Sequence, residues 1–278
     1  MITTHEVRLG DGRVLVAHDA GADATGAPTL VWHHGSPQTG APLDPVVAAA
    51  AARGIRLVSY ARPGYGGSTP NPGRDVASAA GDVVAVADAL GVGRFASMGA
   101  SGGGPHALAG AAMHPDRVLG VVSLAGIAPF TEAFDWFDGM RAPGALAAAR
   151  AGGRAERARF AETEEFDPLQ FLPVDLAALE GRWASLGADA GRAGAEGSDG
   201  LIDDDVAFAN PWGFELAEVA APVLLVQGEG DRVVPRRHAA WMAAKLPNAS
   251  LWMRLDDGHV SVLDTVPDAM DWLLDRVG

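Results

Sequence analysis

The feature that most constrains how this chain can fold lies at residues 94–113, RFASMGASGGGPHALAGAAM. Residues 94–98 read as a short strand, residues 99–103 as a sharp turn, and the alanine-rich remainder as a helix. The turn, Gly99-Ala100-Ser101-Gly102-Gly103, has the spacing G-x-S-x-G. A strand that reverses directly into a helix leaves no room for bulky side chains two positions either side of the residue at its tip. Gly99 and Gly103 meet that demand, and glycine relieves the backbone strain. The following helix points its N-terminus at Ser101, so its free N–H groups and dipole favour negative charge there. In a chain with 36 glycines the bare spacing also arises by chance. Its weight rests on the strand before it, the helix after it, and what lies elsewhere at fitting places.

The rest of the chain alternates in the same way. Residues 5–9 and 13–18 form two alternating runs around Asp11-Gly12, a hairpin signal. Strands are expected at residues 29–33, 55–60, 118–124, 222–228 and 250–255. Helices are expected at residues 43–53, 76–90, 236–245 and 260–277, with Gly54 and Gly91 as stops for the first two. Strands apolar nearly throughout, alternating with helices, imply a parallel sheet covered on both faces. Between about residues 128 and 220 the rhythm breaks into helical pieces, and residues 187–200, GADAGRAGAEGSDG, read as a mobile loop. This block is expected to be a lid (128–220) inserted after the sixth strand of one core domain (1–127 and 221–278). A 48% hydrophobic chain can build such a core.

The net charge of −14 disfavours a nucleic-acid partner. With no cysteine, thiolate metal sites, disulfides and cysteine nucleophiles are excluded. The first residues carry neither a basic nor an apolar leader region, and no run is long enough to span a membrane, so a cytoplasmic protein is expected.

A serine is a weak nucleophile without a base, and the base needs an orienting acid. In a parallel sheet the loops after strands gather at the carboxyl edge, where Ser101 sits. Of the eight histidines, His259 follows the last strand and is the expected base. Asp231 follows the strand before it and is the expected acid, ahead of Glu229. The order Ser101, Asp231, His259 is the chain order of one known class of triads. The backbone N–H groups of Gly102 and Ser36, the latter in His34-Gly35-Ser36-Pro37, are the expected oxyanion donors.

These motifs, with Arg62-Pro63-Gly64-Tyr65-Gly66-Gly67-Ser68, Gly228 to Pro235 and Gly258-His259, resemble the α/β-hydrolase superfamily of esterases, aminopeptidases and C–C hydrolases. The resemblance implies a mostly parallel eight-stranded sheet flanked by helices, a Ser-Asp-His triad and no cofactor. No metal site is expected. Ala61 stands where this superfamily often has aspartate, so any salt bridge of that aspartate is missing. Gly35-Ser36 in place of two glycines argues against an iminopeptidase. A serine nucleophile argues against haloalkane dehalogenase and epoxide hydrolase chemistry. The expected activity is cleavage of a small-molecule ester or lactone. C–C or amide hydrolysis, acyl transfer, cofactor-free peroxidation and a non-catalytic small-molecule receptor are the alternatives.

Residues 127–215 hold eight of the nine Phe and three of the seven Trp. Phe130, Phe134, Trp136, Phe137, Met140, Trp183, Phe208, Trp212 and Phe214 are the expected source of pocket walls. The same span carries 17 acidic residues against 7 Arg. That excess suits either a solvated surface or the attraction of a cationic substrate. Asp203-Asp204-Asp205 is expected to cap the helix before Pro211.

Overall fold

The protein is described by a computed structural model covering residues 2–21 and 26–277. Eight strands form one sheet: β1 (Thr3–Arg8), β2 (Val14–Ala20), β3 (Thr29–His33), β4 (Arg56–Tyr60), β5 (Phe95–Ala100), β6 (Val118–Leu124), β7 (Val223–Gly228) and β8 (Ala249–Arg254). Their order is β1-β2-β4-β3-β5-β6-β7-β8. β1 and β2 form an antiparallel hairpin, and β2 lies antiparallel to β4. Every pairing from β4 to β8 is parallel. Gly12 closes the hairpin with a positive φ of 89°, and the Asp11 carboxylate accepts from the Arg13 N–H.

The central strands are apolar throughout because both faces are covered. β5 and β7 are buried at every position. One face packs against α2 (Ser78–Ala89), α3 (Gly103–Met113) and α8 (Arg237–Ala243), with Val83, Val86, Leu108 and Met242 in the seam. The other packs against α1 (Asp44–Ala51) and α9 (Val266–Val277), through Val46, Ala269 and Met270. The expected last helix divides. Residues Ser261–Thr265 form a 3₁₀ turn, and the α-helix follows. Pro267 has no N–H to donate, so it fits the first turn of a helix better than its interior.

Four α-helices lie between β6 and β7: α4 (Gly144–Ala161), α5 (Pro173–Glu180), α6 (Ala184–Glu196) and α7 (Asp199–Ala209). The loop expected at residues 187–200 is instead most of α6 and the start of α7. Alanine favours helix, and a tertiary contact adds support. Asp189, buried within α6, accepts from the Thr39 N–H at 3.0 Å and the Thr39 hydroxyl at 2.6 Å. The flanks of the block expected as a lid pack into the core. Ala128, Trp136, Trp212, Leu216 and Val219 are buried in the same apolar cluster as α2 and α3. His238 fastens the first flank, because its Nδ1 accepts from the Ala128 N–H and its Nε2 donates to the Trp136 carbonyl.

Candidate active site

The turn after β5 is as tight as its glycines imply. A Cβ at Gly99 would lie 2.2 Å from the Gly103 carbonyl oxygen, and one at Gly103 would lie 2.0 Å from that of His33. Ser101 itself has a φ of 52°, a left-handed conformation that is costly for a residue with a side chain. Its N–H donates to the Leu124 carbonyl, and its own carbonyl accepts from Gly104. The strain is therefore held by the next strand on one side and the start of α3 on the other.

Ser101, His259 and Asp231 meet at this edge. Ser101 Oγ lies 3.0 Å from His259 Nε2, and His259 Nδ1 lies 2.8 Å from Asp231 Oδ2. Asp231 is oriented on all sides. Its Oδ1 accepts from the Val233 and Val234 N–H groups, and its Oδ2 also accepts from Gln227 Nε2. This leaves Asp231 one direction in which to face the imidazole. Glu229, the rival acid, pairs with Arg236 at the surface. Burial works against the His259 imidazolium, but the Asp231 charge and hydrogen bond and the Asp175 charge outweigh it, so its pKa stands above the ordinary 6.5.

His34, the other histidine at this edge, is fully engaged. Its Nε2 accepts from the Arg62 N–H at 3.1 Å, which leaves the proton on Nδ1 to donate to the Gly35 carbonyl at 2.7 Å. Burial and the neighbouring Arg62 charge hold its pKa well below 6.5. It is a neutral structural group.

The loop that carries Ser36 lies against the turn. A Cβ at Gly35 would sit 3.7 Å from Ser101 Cβ, and one at Gly102 would meet Ser36 Oγ at 2.5 Å. Among the described residues, neither the Ser36 nor the Gly102 N–H donates to a protein acceptor. The loop is held from beneath by a buried network invisible in the spacing of the motifs. Arg62 donates to the His34 and Gly35 carbonyls and to Ser36 Oγ. Asp204, from α7, accepts from Ser36 Oγ at 2.5 Å, Tyr65 Oη at 2.9 Å, Arg62 at 2.7 Å and Arg74 at 2.6 Å. Burial would raise the Asp204 pKa, but the two guanidinium groups hold it well below the usual carboxylate range. The acidic run is thus not a cap. All three residues sit inside α7, with Asp203 on Arg154 and Asp205 on Arg157. Arg62, whose loop lacks the superfamily's aspartate at Ala61, finds its carboxylate on the inserted helices instead.

Ser101 and His259 open onto a cavity of about 680 Å³. Of the aromatic and apolar residues expected as its walls, Met140 lines it. The others do not. Phe134 and Trp136 pack edge-on against His238, and Phe137 against Trp136. Trp183 is buried against the opposite face of the sheet and donates to Asp264. Phe208 packs on His106 and over Gly102. Phe130, Trp212 and Phe214 border a separate groove with Arg150 and Trp241. The large rings fix the insertion and its flanks to the core. Leu146, Phe171, Leu179, Leu186 and Leu201 form much of the cavity wall, with Arg157, Glu164, Glu165, Asp167 and Asp205 among its ionisable residues. Among the described residues, no cluster of His, Asp or Glu is placed to hold a metal ion, and no helix is long and apolar enough to cross a membrane.

Known proteins agree with this architecture. The non-heme chloroperoxidase of Streptomyces lividans is 28% identical over 254 residues, covering 80% of this chain and 81% of its own. The pimeloyl-[acyl-carrier protein] methyl ester esterase of Aromatoleum aromaticum is 38% identical over 99 residues, 35% of this chain and 34% of its own. The enol-lactonase of Burkholderia xenovorans LB400 superposes with a TM-score of 0.74 at 20% identity, over 98% of this chain and 100% of its own. Residues 28–266 match the family described as alpha/beta hydrolase fold. With the sheet order, the strained turn at Ser101 and a family match across most of its length, this chain belongs to the α/β-hydrolase fold family.

Proposed function

We propose that the protein is a serine hydrolase that cleaves a carboxylic ester or lactone of a small molecule through an acyl-enzyme. The observation that carries this reading is the continuous relay from Ser101 Oγ through His259 to Asp231. In that reading His259 Nε2 takes the hydroxyl proton as Oγ attacks the carbonyl carbon. Asp231 holds the proton on Nδ1 and stabilises the imidazolium. The Ser36 and Gly102 N–H groups receive the oxyanion, where such donors are worth about 10²–10³ in rate each. His259 then protonates the leaving alkoxide, and water repeats the sequence on the acyl-enzyme. An ester or lactone needs nothing beyond these groups. The names of the methyl ester esterase and the enol-lactonase point to the same bond type.

The non-heme chloroperoxidase relative supports a second reading, peracid formation on the same triad. A fluorophosphonate probe and a substrate panel test both. Stoichiometric labelling at Ser101, lost in Ser101→Ala, is expected, as is turnover of short p-nitrophenyl esters above aryl amides and a vinylogous diketone. Folded protein that does not label would overturn the hydrolase reading. Halogenation with peroxide, a carboxylic acid and bromide, outpacing every ester, would favour the second.

A further inference from the structure

The triad leaves one buried carboxylate beside it without a role. Asp175 is the third residue of α5, on the inserted helices, and is 1% exposed. A helix-capping aspartate at that position needs one bond, and Asp175 makes it: Oδ2 accepts from the Leu172 N–H at 2.9 Å. Four further donors come from the segment that carries the base. Oδ2 accepts from the His259 N–H at 3.3 Å, and Oδ1 from the Val260 N–H at 2.9 Å, the Ser261 N–H at 2.8 Å and the Ser261 hydroxyl at 3.0 Å. Ser261 Oγ in turn accepts from the Gly258 N–H at 2.8 Å. The approach is so close that a Cβ at Gly258 would lie 2.0 Å from Asp175 Oδ2.

We propose that Asp175 is a positioning residue for catalysis, a carboxylate from the inserted helices that fixes the backbone of the loop bearing His259 and lends its charge to the imidazolium. The inference rests on the triad reading above. Its geometry has a direct consequence. The angle at which His259 faces Ser101 depends on where α5 sits, so the insertion helps to build the site as well as to cover it. Misplacing a reacting group by as little as ~1 Å can cost on the order of 10²-fold in rate. Among the described residues Asp175 has no cationic partner, so only N–H and O–H dipoles offset its charge. Burial would raise its pKa, but the backbone bonds from Ser261, Leu172 and Val260 outweigh that and leave it below the usual value. It is therefore ionised when His259 titrates. The charged groups that act on His259 are Asp231, from the loop after β7, and Asp175, from α5.

The test is Asp175→Asn, checked for folding by circular dichroism and assayed on a short p-nitrophenyl ester. The amide keeps the shape, loses the charge and replaces one accepting oxygen with an NH2 donor that cannot accept from the N–H groups around it. A kcat reduced about 10–100-fold with little change in KM is expected. The acid limb of kcat/KM should move to lower pH, because removing a negative charge disfavours the imidazolium. Wild-type kcat, or a reduced kcat with the acid limb unmoved as for a lost helix cap, would overturn the proposal. If that variant does not fold, Ser261→Ala carries the test. It keeps the Asp175 charge and removes two bonds of the clamp, so kcat should fall with the acid limb in place, and unchanged kcat would overturn the proposal. A proton-NMR titration of the His259 imidazole in wild type and Asp175→Asn needs no turnover. Wild-type protein that neither labels at Ser101 nor cleaves esters would defeat the hydrolase reading, whereas an unmoved His259 titration would defeat the role of Asp175 alone.

Discussion

His259 is subject to opposing effects, and their balance sets the working pH. Burial favours the neutral ring, while Asp231 and Asp175 favour the charged one, and the carboxylates prevail. A base must be neutral to accept the serine proton. A raised pKa therefore keeps His259 protonated to a higher pH, and kcat/KM should fall as pH drops through a midpoint above 6.5. The pH–rate profile of a neutral ester checks this, and a midpoint at or below the ordinary value would contradict it. Asp231→Asn should cost about 10⁴-fold in kcat, because the amide cannot hold the required tautomer. His259→Ala should leave no pH-dependent activity. His34 cannot substitute, since one nitrogen accepts from the Arg62 N–H and the other donates to the Gly35 carbonyl.

At the scale of elements, two inserted helices hold two halves of the site: α5 through Asp175 and the loop of His259, α7 through Asp204 and the loop of Ser36. Asp204 is also the shared ion-pair partner of two buried arginines, Arg62 and Arg74. Breaking a buried pair leaves a charge without a partner, a cost of about 3–5 kcal/mol. Asp204→Ala should lose about that much in urea unfolding, and a loss under ~1 kcal/mol, the worth of a surface pair, would show the network is not structural. The core elements were legible in sequence because local signals agree with tertiary demand. The glycines of the Ser101 turn, Asp11-Gly12 and the apolar strands each state their own environment. Ser101, Asp231 and His259 were legible because a parallel sheet gathers the loops that follow its strands at one edge, and their order along the chain matches a known class of triads. The clamps were not. Asp175 lies in an unremarkable helix start, and Asp204 lies in an acidic run whose even spacing hides which member is buried. Nothing local reveals that Thr39 holds Asp189 within α6, so an alanine- and glycine-rich stretch read as a loop. The aromatics misled for a related reason. Most of the rings expected as walls fasten the insertion and its flanks to the core, and the cavity is lined instead by leucines with Trp32, Phe166 and Phe171.

At the scale of the whole molecule, the chain's net charge of −14 is concentrated in the inserted span, where 17 acidic residues face 7 Arg. Much of this charge is spoken for. Asp203, Asp204 and Asp205 pair with arginines, and Asp167 pairs with Arg141. What remains near the cavity is Glu165, exposed and without an ion-pair partner among the described residues, and Glu164, shared with Arg157. A largely apolar cavity with an acidic rim suits a partly apolar ester that carries a positive charge. Exposed charges act mainly on encounter, and salt screens them over about 8–10 Å. Two esters of matched shape, one cationic and one neutral, separate attraction from mere surface charge. For the cationic ester, kcat/KM should fall as salt rises from low to physiological strength, while for the neutral one it should stay level. Glu165→Gln should flatten the first slope and leave the second unchanged. Equal slopes in the wild-type protein would mean that the rim is only a solvated surface and that the apolar cavity alone selects the substrate.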